Sequence, residues 1–426
     1  MISRLLSFFE KYGDGRPVLL ALSGGPDSMA LYHLFLKAKI SFHVAHLDHG
    51  WREESGEEAR QLCSMVERAG IPFHLHRILE INLHGNLEEQ GRDERLKFFE
   101  RICKSHDLQA VVMAHHADDQ AETVMLRLLT QASLEKLAGI SEVSKIRGLT
   151  IWRPLLSTKK MDLENFLKKE NSFYFEDKTN TDLTRKRSLF RHRLFPTIEE
   201  ITDRDVVSSL VYLGEQLGEM TAFLEEMAAP FLSTVNREVW GWKWRVDPLL
   251  QTKKLLLRFV LRSVLLQAGF GYYRRIVEGI TDALSLGLAN RIFEASGRKI
   301  FVDRGVLLMP DDDRLLMGSS WSVTFTAKEP QEAVMCSNWE DLWQGKFFAL
   351  LPTATAKIVA PDLQYCYPGS RSIRLWWNKN KVPACMRYAA PLVVDEQGRV
   401  IHEFLTGRVI LDHRMAASWI CLEGRQ

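Results

Sequence analysis

The chain has 426 residues, of which 46% are hydrophobic and 26% charged, and its formal net charge at pH 7 is only +2. A chain of this length is too long to fold around a single hydrophobic core, so we expect two or three domains. The near-neutral charge gives no overall basic field for nucleic acid, although a local cluster of cations would still bind it. The sequence contains no apolar run of about 18 residues, so we expect no membrane span. The N-terminus lacks the pattern of a secretory signal. We therefore expect a cytoplasmic protein.

The cysteines are widely separated and form no C-x-x-C pair. They are Cys63, Cys103, Cys336, Cys366, Cys385 and Cys421. This spacing argues against a disulfide framework, a zinc ribbon and an iron–sulfur cluster. We expect reduced and mostly buried thiols.

The first 156 residues alternate between short apolar runs and longer helical patterns. They predict strands at 18–22, 41–47, 71–78, 110–114 and 149–156, and helices at 27–37, 53–69, 87–105 and 118–129. This alternation is typical of a parallel sheet covered on both faces. We therefore expect an α/β, Rossmann-like domain with five parallel strands. Ligands bind at the carboxyl ends of such strands, where three unusual stretches occur: 23–28, 46–50 and 115–122.

The pattern changes twice after this region. Helical periods at 202–227, 252–270 and 272–287 predict a mostly helical part, and short alternating runs after Gly297 predict strands. We therefore expect an α/β domain at 1–200, a helical middle domain at 201–300 and a small α+β domain at 301–426.

The first predicted strand ends in a glycine-rich loop that leads directly into a helix. Its residues are Ser23, Gly24, Gly25, Pro26, Asp27 and Ser28. Glycines let the backbone approach an anion closely, and the free N–H groups of a helix N-terminus point at that anion. The loop therefore predicts a phosphate cradle, with a capped strand-to-helix turn as the plain alternative. The lysine of G-x-x-x-x-G-K-[ST] loops and the G-x-G-x-x-G pattern are both missing from the sequence.

The S-G-G-x-D-S loop resembles the pyrophosphate loop of the N-type ATP pyrophosphatases (PP-loop superfamily). Four further blocks resemble the tRNA(Ile)-lysidine synthetases in order and spacing. They are HVAHLDHGWREESGEEA at 43–59, GNLEEQGRDERLKFFE at 85–100, AHHADDQAETVMLRLL at 114–129, and RPLL with FEDKTNTDLTRKRSLFRHRLFP within 153–196. The resemblance is dense over residues 15–196 and sparse beyond them.

The resemblance implies a two-step ligation. ATP, with Mg²⁺, adenylates the C2 oxygen of the wobble cytidine of a tRNA(Ile) that has a CAU anticodon, and pyrophosphate leaves. The ε-amine of free L-lysine then attacks C2 and AMP leaves. The product, lysidine, switches the tRNA from methionine to isoleucine identity. The chain would thus be a ligase that forms a C–N bond, with its PP-loop catalytic domain at 1–200 and a tRNA-binding domain at 301–426.

Four residues are candidates for this chemistry. Asp119 and Glu122 lie three residues apart and share one helix face, where with His115 they would orient the lysine ammonium or take its proton. Arg95 matches an arginine of the family and would stabilise negative charge on the α-phosphate or the adenylated base. The alternatives are a metal site around His115 and His116, a simple helix cap, and a surface ion pair for Arg95.

Two aspartates are candidates to lie near the Mg²⁺. Asp27 is in the glycine-rich loop, and Asp48 follows the second predicted strand. A helix cap and a strand-end turn are their respective alternatives, and the ligand set of the metal stays open.

The segment 178–193 concentrates positive charge. Its cations are Lys178, Arg185, Lys186, Arg187, Arg191 and Arg193, against the single acid Asp182. In a near-neutral chain this predicts a surface that binds tRNA phosphates, with a solvated charged face as the alternative.

Other functions would make different demands on the sequence. A base thiolase of the same superfamily needs paired cysteines or a cluster, and a glutamine-hydrolysing ligase needs an amidotransferase domain. A regulatory nucleotide-binding module has no use for the Arg95, His115, Asp119 and Glu122 group. We therefore favour the ligase, with the thiolase as its alternative.

Overall fold

The computed structural model describes residues 1–48, 55–78, 87–130, 132–175, 186–238, 240–271, 273–311, 321–326, 339, 346–352, 356–369, 371–406 and 416–424. The chain forms two compact units, Met1–Ala222 and Phe223–Gln426. Within the described ranges, no helix is both long enough and apolar enough to cross a bilayer.

The first unit is built on a six-stranded sheet. Its strands are β1 (Val18–Ala21), β2 (Phe42–Asp48), β3 (Phe73–Arg77), β4 (Val111–Val112), β5 (Val143–Ile146) and β6 (Leu149–Trp152). Their spatial order is β3-β2-β1-β4-β6-β5, and every pair is parallel except β5 with β6. The five predicted strands are the five parallel ones, so the predicted α/β fold is confirmed.

The sixth strand, β5, was not predicted from the sequence. It forms a hairpin with β6 through Arg147 and Gly148, whose φ angles are 51° and 84°. Two consecutive positive φ values give the tight turn whose twist suits a hairpin. Arg-Gly lacks the usual Asn-Gly or Asp-Gly signal, and the four residues of β5 alternate too briefly to stand out.

The first unit also contains the following helices, the last of which continues beyond Ala222. In chain order they are α1 (Ile2–Tyr12), α2 (Pro26–Ala38), α3 (Ser55–Arg68), α4 (Leu87–Ser105), α5 (Ala117–Leu129), α6 (Leu134–Leu137), α7 (Lys160–Glu170), α8 (Lys186–Leu189), a π-helical turn (Phe190–Leu194), α9 (Phe195–Thr202) and α10 (Val206–Leu232). Side chains of α1, α2, α3 and α7 form one core layer with Leu20, while α4 packs on the opposite face against Leu19. Consecutive residues of β1 thus serve opposite layers, which explains its uninterrupted apolar run.

The second unit contains a five-stranded antiparallel sheet. Its strands are β7 (Val235–Glu238), β8 (Gly241–Arg245), β9 (Arg291–Ala295), β10 (Arg298–Asp303) and β11 (Val306–Pro310), in the order β7-β8-β11-β10-β9. The helices α11 (Pro248–Thr252), α12 (Lys254–Gln267) and α13 (Arg274–Ser285) lie between β8 and β9 in the chain. The boundary expected at residue 300 falls inside β10, and the division into three domains stays a prediction.

The rest of the second unit is made of short strands. They are β12 (Trp321–Thr326), β13 (Lys346–Pro352), β14 (Lys357–Val359), β15 (Cys366–Tyr367), β16 (Arg371–Ser372), β17 (Leu392–Val394), β18 (Val400–Glu403) and β19 (Ala416–Gly424). They form sheets in the orders β12-β19-β13 and β14-β17-β18 and the pair β15-β16. Helix α14 (Ile373–Lys379) and a 3₁₀ helix (Ala384–Tyr388) contribute Trp377 and Met386 to a core that also contains Trp240.

Candidate active site

The glycine-rich loop joins β1 to α2 at the carboxyl edge of the sheet. Gly24 has a φ of +87°, a conformation that favours glycine. Its carbonyl accepts a hydrogen bond from the Phe175 amide at 2.9 Å. A Cβ on Gly24 would lie 2.6 Å from a ring carbon of Phe175. Gly25 then caps α2, and Pro26 is the first helical residue, where the lack of an N–H costs nothing.

Two serine hydroxyls hold the loop closed. The Oγ atoms of Ser23 and Ser28 are 3.0 Å apart, and Ser28 Oγ donates to the carbonyl of Gly25 at 3.1 Å. The amide of Ser23 donates to Ser28 Oγ at 3.2 Å. Ser23 is exposed while Ser28 is buried. Ser23 Oγ also accepts from the Gly25 amide at 3.3 Å, so the loop is held by its own hydroxyls ahead of the N-terminus of α2, the place where a phosphate cradle binds an anion.

His116 lies at the centre of the carboxylates that surround this loop. Its imidazole is 1% exposed, and Nε2 is 3.5 Å from a carboxylate oxygen of Asp27 and of Asp119. Nδ1 is 3.5 Å from Asp118. Burial alone would lower the pKa of His116, but the three carboxylates raise it to about 10. A protonated imidazole has no lone pair for a metal, so the metal alternative would require His116 to lose this proton.

The two aspartates at the start of α5 have different partners. Asp118 accepts a hydrogen bond from the Lys160 amide at 2.8 Å and so fixes the start of α7. Asp119 accepts from the amide of His116 at 3.1 Å, which fixes the start of α5. The second oxygen of Asp119 is 3.6 Å from Arg191. Asp119, the predicted catalytic residue, is thus held from both sides.

Glu122 forms a buried ion pair with Arg191. The Glu122 side chain is 1% exposed, and its Oε1 accepts from Nε of Arg191 at 2.8 Å and from Nη2 at 2.6 Å. Burial raises the pKa of Glu122, and the positive charge of Arg191 opposes that rise. Arg191 was predicted to bind tRNA phosphate together with its basic neighbours. It lies in the carboxylate cluster, because the π-helical turn before Pro196 brings it to α5, and its contact with tRNA stays a prediction.

His115 lies close enough to Asp119 and Arg95 to feel the charges of both. Burial lowers the pKa of His115 to about 4; Asp119 opposes this, and the charges of Arg153, Arg187 and Arg95 lower it further. His115 is therefore neutral at pH 7. Burial, with a contribution from nearby Arg92, also lowers the pKa of Arg95.

Polar atoms of four predicted site residues are buried without a hydrogen-bond partner among the described residues. They are Asp27 Oδ1, Arg95 Nε, His115 Nδ1 and Glu122 Oε2. Buried polar groups in folded proteins are almost always hydrogen-bonded. The unpaired atoms therefore indicate a site that a polar ligand completes.

The remaining predicted residues are placed as follows. Asp48 ends β2, is 3% exposed and pairs with Arg77 at 3.3 Å. Lys186, Arg187 and Arg193 are exposed, as a phosphate-binding surface requires. Lys178 and Arg185 lie outside the described residues, and their role stays a prediction.

Two residues of the site were given no role in the ligation reaction from the sequence. His116 was considered only as a metal ligand, although a histidine doublet followed by two aspartates signals a charge cluster. Arg153 is 7% exposed and donates to the Ser141 carbonyl at 2.9 Å and to Ser144 Oγ at 3.0 Å. Its partners lie in the unpredicted strand β5 and just before it, so nothing in the local sequence signals its burial.

Comparison with known proteins gives the family. A model of the PP-loop domain matches residues 1–198. The tRNA(Ile)-lysidine synthase of Protochlamydia amoebophila is 30% identical over 430 residues, which cover 96% of this chain and 93% of that protein. The protein of the same name from Chlamydia caviae is 32% identical and covers 72% of this chain over 100% of its own length. The first match spans nearly all of both chains, and the resemblance found in the sequence motifs is thereby confirmed: the chain belongs to the tRNA(Ile)-lysidine synthase family.

Proposed function

We propose that the chain ligates free L-lysine to C2 of the wobble cytidine of tRNA(Ile) with a CAU anticodon, using ATP and Mg²⁺ in the cytoplasm. The observation that carries this proposal is the set of unpaired buried atoms on Asp27, Arg95, His115 and Glu122, all at the carboxyl edge of the parallel sheet. An ATP loop and an acid–base cluster thus share one site. The names of the relatives support the choice of tRNA and lysidine.

The loop at 23–28 would hold the phosphates of ATP. The exposed Ser23 would offer its hydroxyl and the N-terminus of α2 its free N–H groups, and the loop requires glycine at position 24 because a Cβ there would clash with Phe175. Donors fixed in advance stabilise charge as it develops on the departing pyrophosphate. ATP binding itself follows from the matched PP-loop domain.

Asp27 is the residue that best fits a magnesium ion beside this loop. Its Oδ1 is unpaired, and a carboxylate oxygen is a ligand that Mg²⁺ prefers. Burial alone would raise the pKa of Asp27, but His116, Lys160 and Arg191 hold it below its usual range. The residue is therefore ionised at neutral pH. Bound Mg²⁺ would neutralise charge on the phosphates.

Arg95 would stabilise the adenylated cytidine. Its guanidinium approaches the same space as His115, whose pKa it lowers, and its Nε has no partner. A guanidinium offers planar, paired donors to a phosphate, which suits the α-phosphate of the adenylate. The neutral His115 adds a polar contact without a second positive charge.

Asp119 and Glu122 would position and deprotonate the lysine amine. Asp119 contacts His116 through one oxygen and Arg191 through the other, whereas Glu122 binds Arg191 through Oε1 and keeps Oε2 unpaired. The raised pKa of Glu122 makes it the better proton acceptor of a carboxylate pair. The ε-amine that results is the nucleophile for C2.

A single assay tests the whole proposal. The purified chain is given ATP, Mg²⁺, labelled lysine and a tRNA(Ile) transcript with a CAU anticodon, and a transcript with a GAU anticodon serves as the control. We expect label in the first tRNA only, with release of pyrophosphate and AMP. Label without ATP, or none in either tRNA, would contradict the proposal; sulfur incorporation in its place would favour the thiolase.

Two variants separate the two half-reactions. Arg95→Ala should abolish lysine-independent pyrophosphate release, because it removes charge stabilisation from the first step. Glu122→Gln should keep pyrophosphate release and lose lysine transfer by about 10²–10⁴-fold, the usual contribution of a positioned base. Equal loss of both steps in Glu122→Gln would contradict the assignment.

A further inference from the structure

Three histidines converge at the edge of the sheet where the parallel strands begin. They are His43 at the start of β2, His74 at the start of β3 and His106 just after α4. One ring nitrogen from each lies within 4.8 Å of the other two. Asp48 lies five positions beyond His43 along β2, so this edge is about 17 Å from the carboxyl edge that holds the ATP loop.

The rings face one another through their nitrogen atoms. Nδ1 of His43 and Nε2 of His74 are 3.0 Å apart. The ring centroid of His106 lies 5.0 Å from that of His43 and 4.8 Å from that of His74. His43 and His74 are partly buried, while His106 is exposed.

The three side chains offer a donor set made of imidazole nitrogens alone. Neutral imidazole nitrogens are the commonest nitrogen ligands of divalent transition metals.

The distances suit a tetrahedral ion. Zn–N bonds of about 2.0–2.1 Å put neighbouring ligand nitrogens about 3.3 Å apart. The pair His43 and His74 is already close to that spacing. His106 is an exposed side chain at a helix end, so a small rotation can complete the contact.

We propose that His43, His74 and His106 form a binding site for a divalent transition metal of the Zn²⁺ type, with three imidazole ligands and a fourth position open to water. The ion would join the starts of β2 and β3 to the end of α4. Because α4 also carries Arg95, the metal would brace that helix on the sheet. The site is independent of the ATP loop and of the proposed ligation.

The test uses the full-length, tag-free chain, stripped of metals and returned to buffer with Mg²⁺ only. Zn²⁺ is titrated in competition with a chelating dye, and Co²⁺ is used to record the visible spectrum of a tetrahedral ion. At a hundredfold excess of Zn²⁺ over its Kd we expect the Tm of the first unit to rise by about 5–10 °C.

The variants His106→Gln and His74→Gln remove one ligand each. His76→Gln is the matched control, since His76 is two residues along the same strand and stacks on Phe98 instead. Loss of a group behind a metal ligand already weakens binding about 10–100-fold, so loss of a ligand should weaken it more than about tenfold. His106 is exposed, so its variant should fold normally. Zn²⁺ affinity and Tm shift unaffected by both ligand variants, or absent from the wild type, would overturn the proposal.

Discussion

Replacing Arg191 with methionine asks whether its guanidinium belongs to the active site or to the tRNA-binding surface. The change removes both hydrogen bonds to Glu122 Oε1 and leaves that carboxylate 1% exposed and unpaired. Breaking a buried ion pair from one side costs about 3–5 kcal/mol. The lower end applies here, because the Arg191 side chain is 25% exposed. For a unit of this size, about 3 kcal/mol lowers Tm by about 6–12 °C.

The matched control is Arg193→Met, two residues along the same turn and exposed. It should change stability by less than about 0.5 kcal/mol. If Arg193 contacts a tRNA phosphate, its loss should flatten the dependence of log K on log salt by about 0.7–0.9. Arg191→Met should leave that slope unchanged, because the charge of Arg191 is already paired with the Glu122 carboxylate.

Thermal unfolding and tRNA binding at several salt concentrations therefore give opposite patterns for the two variants. The double variant Glu122→Gln with Arg191→Met should recover part of the lost stability, since no unpaired charge then stays buried. An unchanged Tm in Arg191→Met together with a flattened salt slope would refute the reasoning. Arg191 would then be a phosphate contact, as the basic segment first indicated.

Three further predictions concern the loop and the cluster. The pKa of His116 is raised in the folded chain, so its ion pairs contribute fully below about pH 6.5 and are lost as pH rises toward 10. Urea unfolding should therefore show wild-type stability falling over that range relative to His116→Gln, and parallel curves would contradict this. Calorimetry should show no ATP binding by Gly24→Ala. Gly15→Ala, at a φ of +89° with nothing within 4 Å, should strain the backbone but retain ATP binding. Asp118→Asn should weaken the start of α7 and lower Tm by about 1–2 °C, the shift that a loss of about 0.5 kcal/mol produces, without changing lysine transfer. Loss of lysine transfer with an unchanged Tm would argue for a catalytic role.

Much of the fold was predictable from the sequence because its signals are local. The strand at 18–21 is apolar on both faces, and the helix predicted at 87–105 has the observed bounds. The edge strand β5 was not predictable, since its partner β6 and an unusual Arg-Gly turn define it. In the second unit, β10 pairs with strands that precede and follow it, so no local change in pattern marks a boundary there.

The site was predictable in its membership more than in its arrangement. Asp119 and Glu122 share a helix face by spacing alone, and the glycine-rich loop has a recognisable pattern. The pairing of Glu122 with Arg191 spans 69 residues and depends on a π-helical turn that sequence periodicity does not signal. The high pKa of His116 likewise arises from Asp27, which lies far from it in the sequence.

The carboxylates around His116 are more than compensated by cations before any substrate arrives. The carboxylates are Asp27, Asp118, Asp119 and Glu122, and the cations near them are the imidazolium of His116 with Arg95, Arg153, Lys160, Arg187 and Arg191. This surplus of positive charge favours the approach of a polyanion such as ATP and gives cationic lysine no long-range attraction. Lysine must therefore be recognised at short range, by the carboxylates that would position its amine.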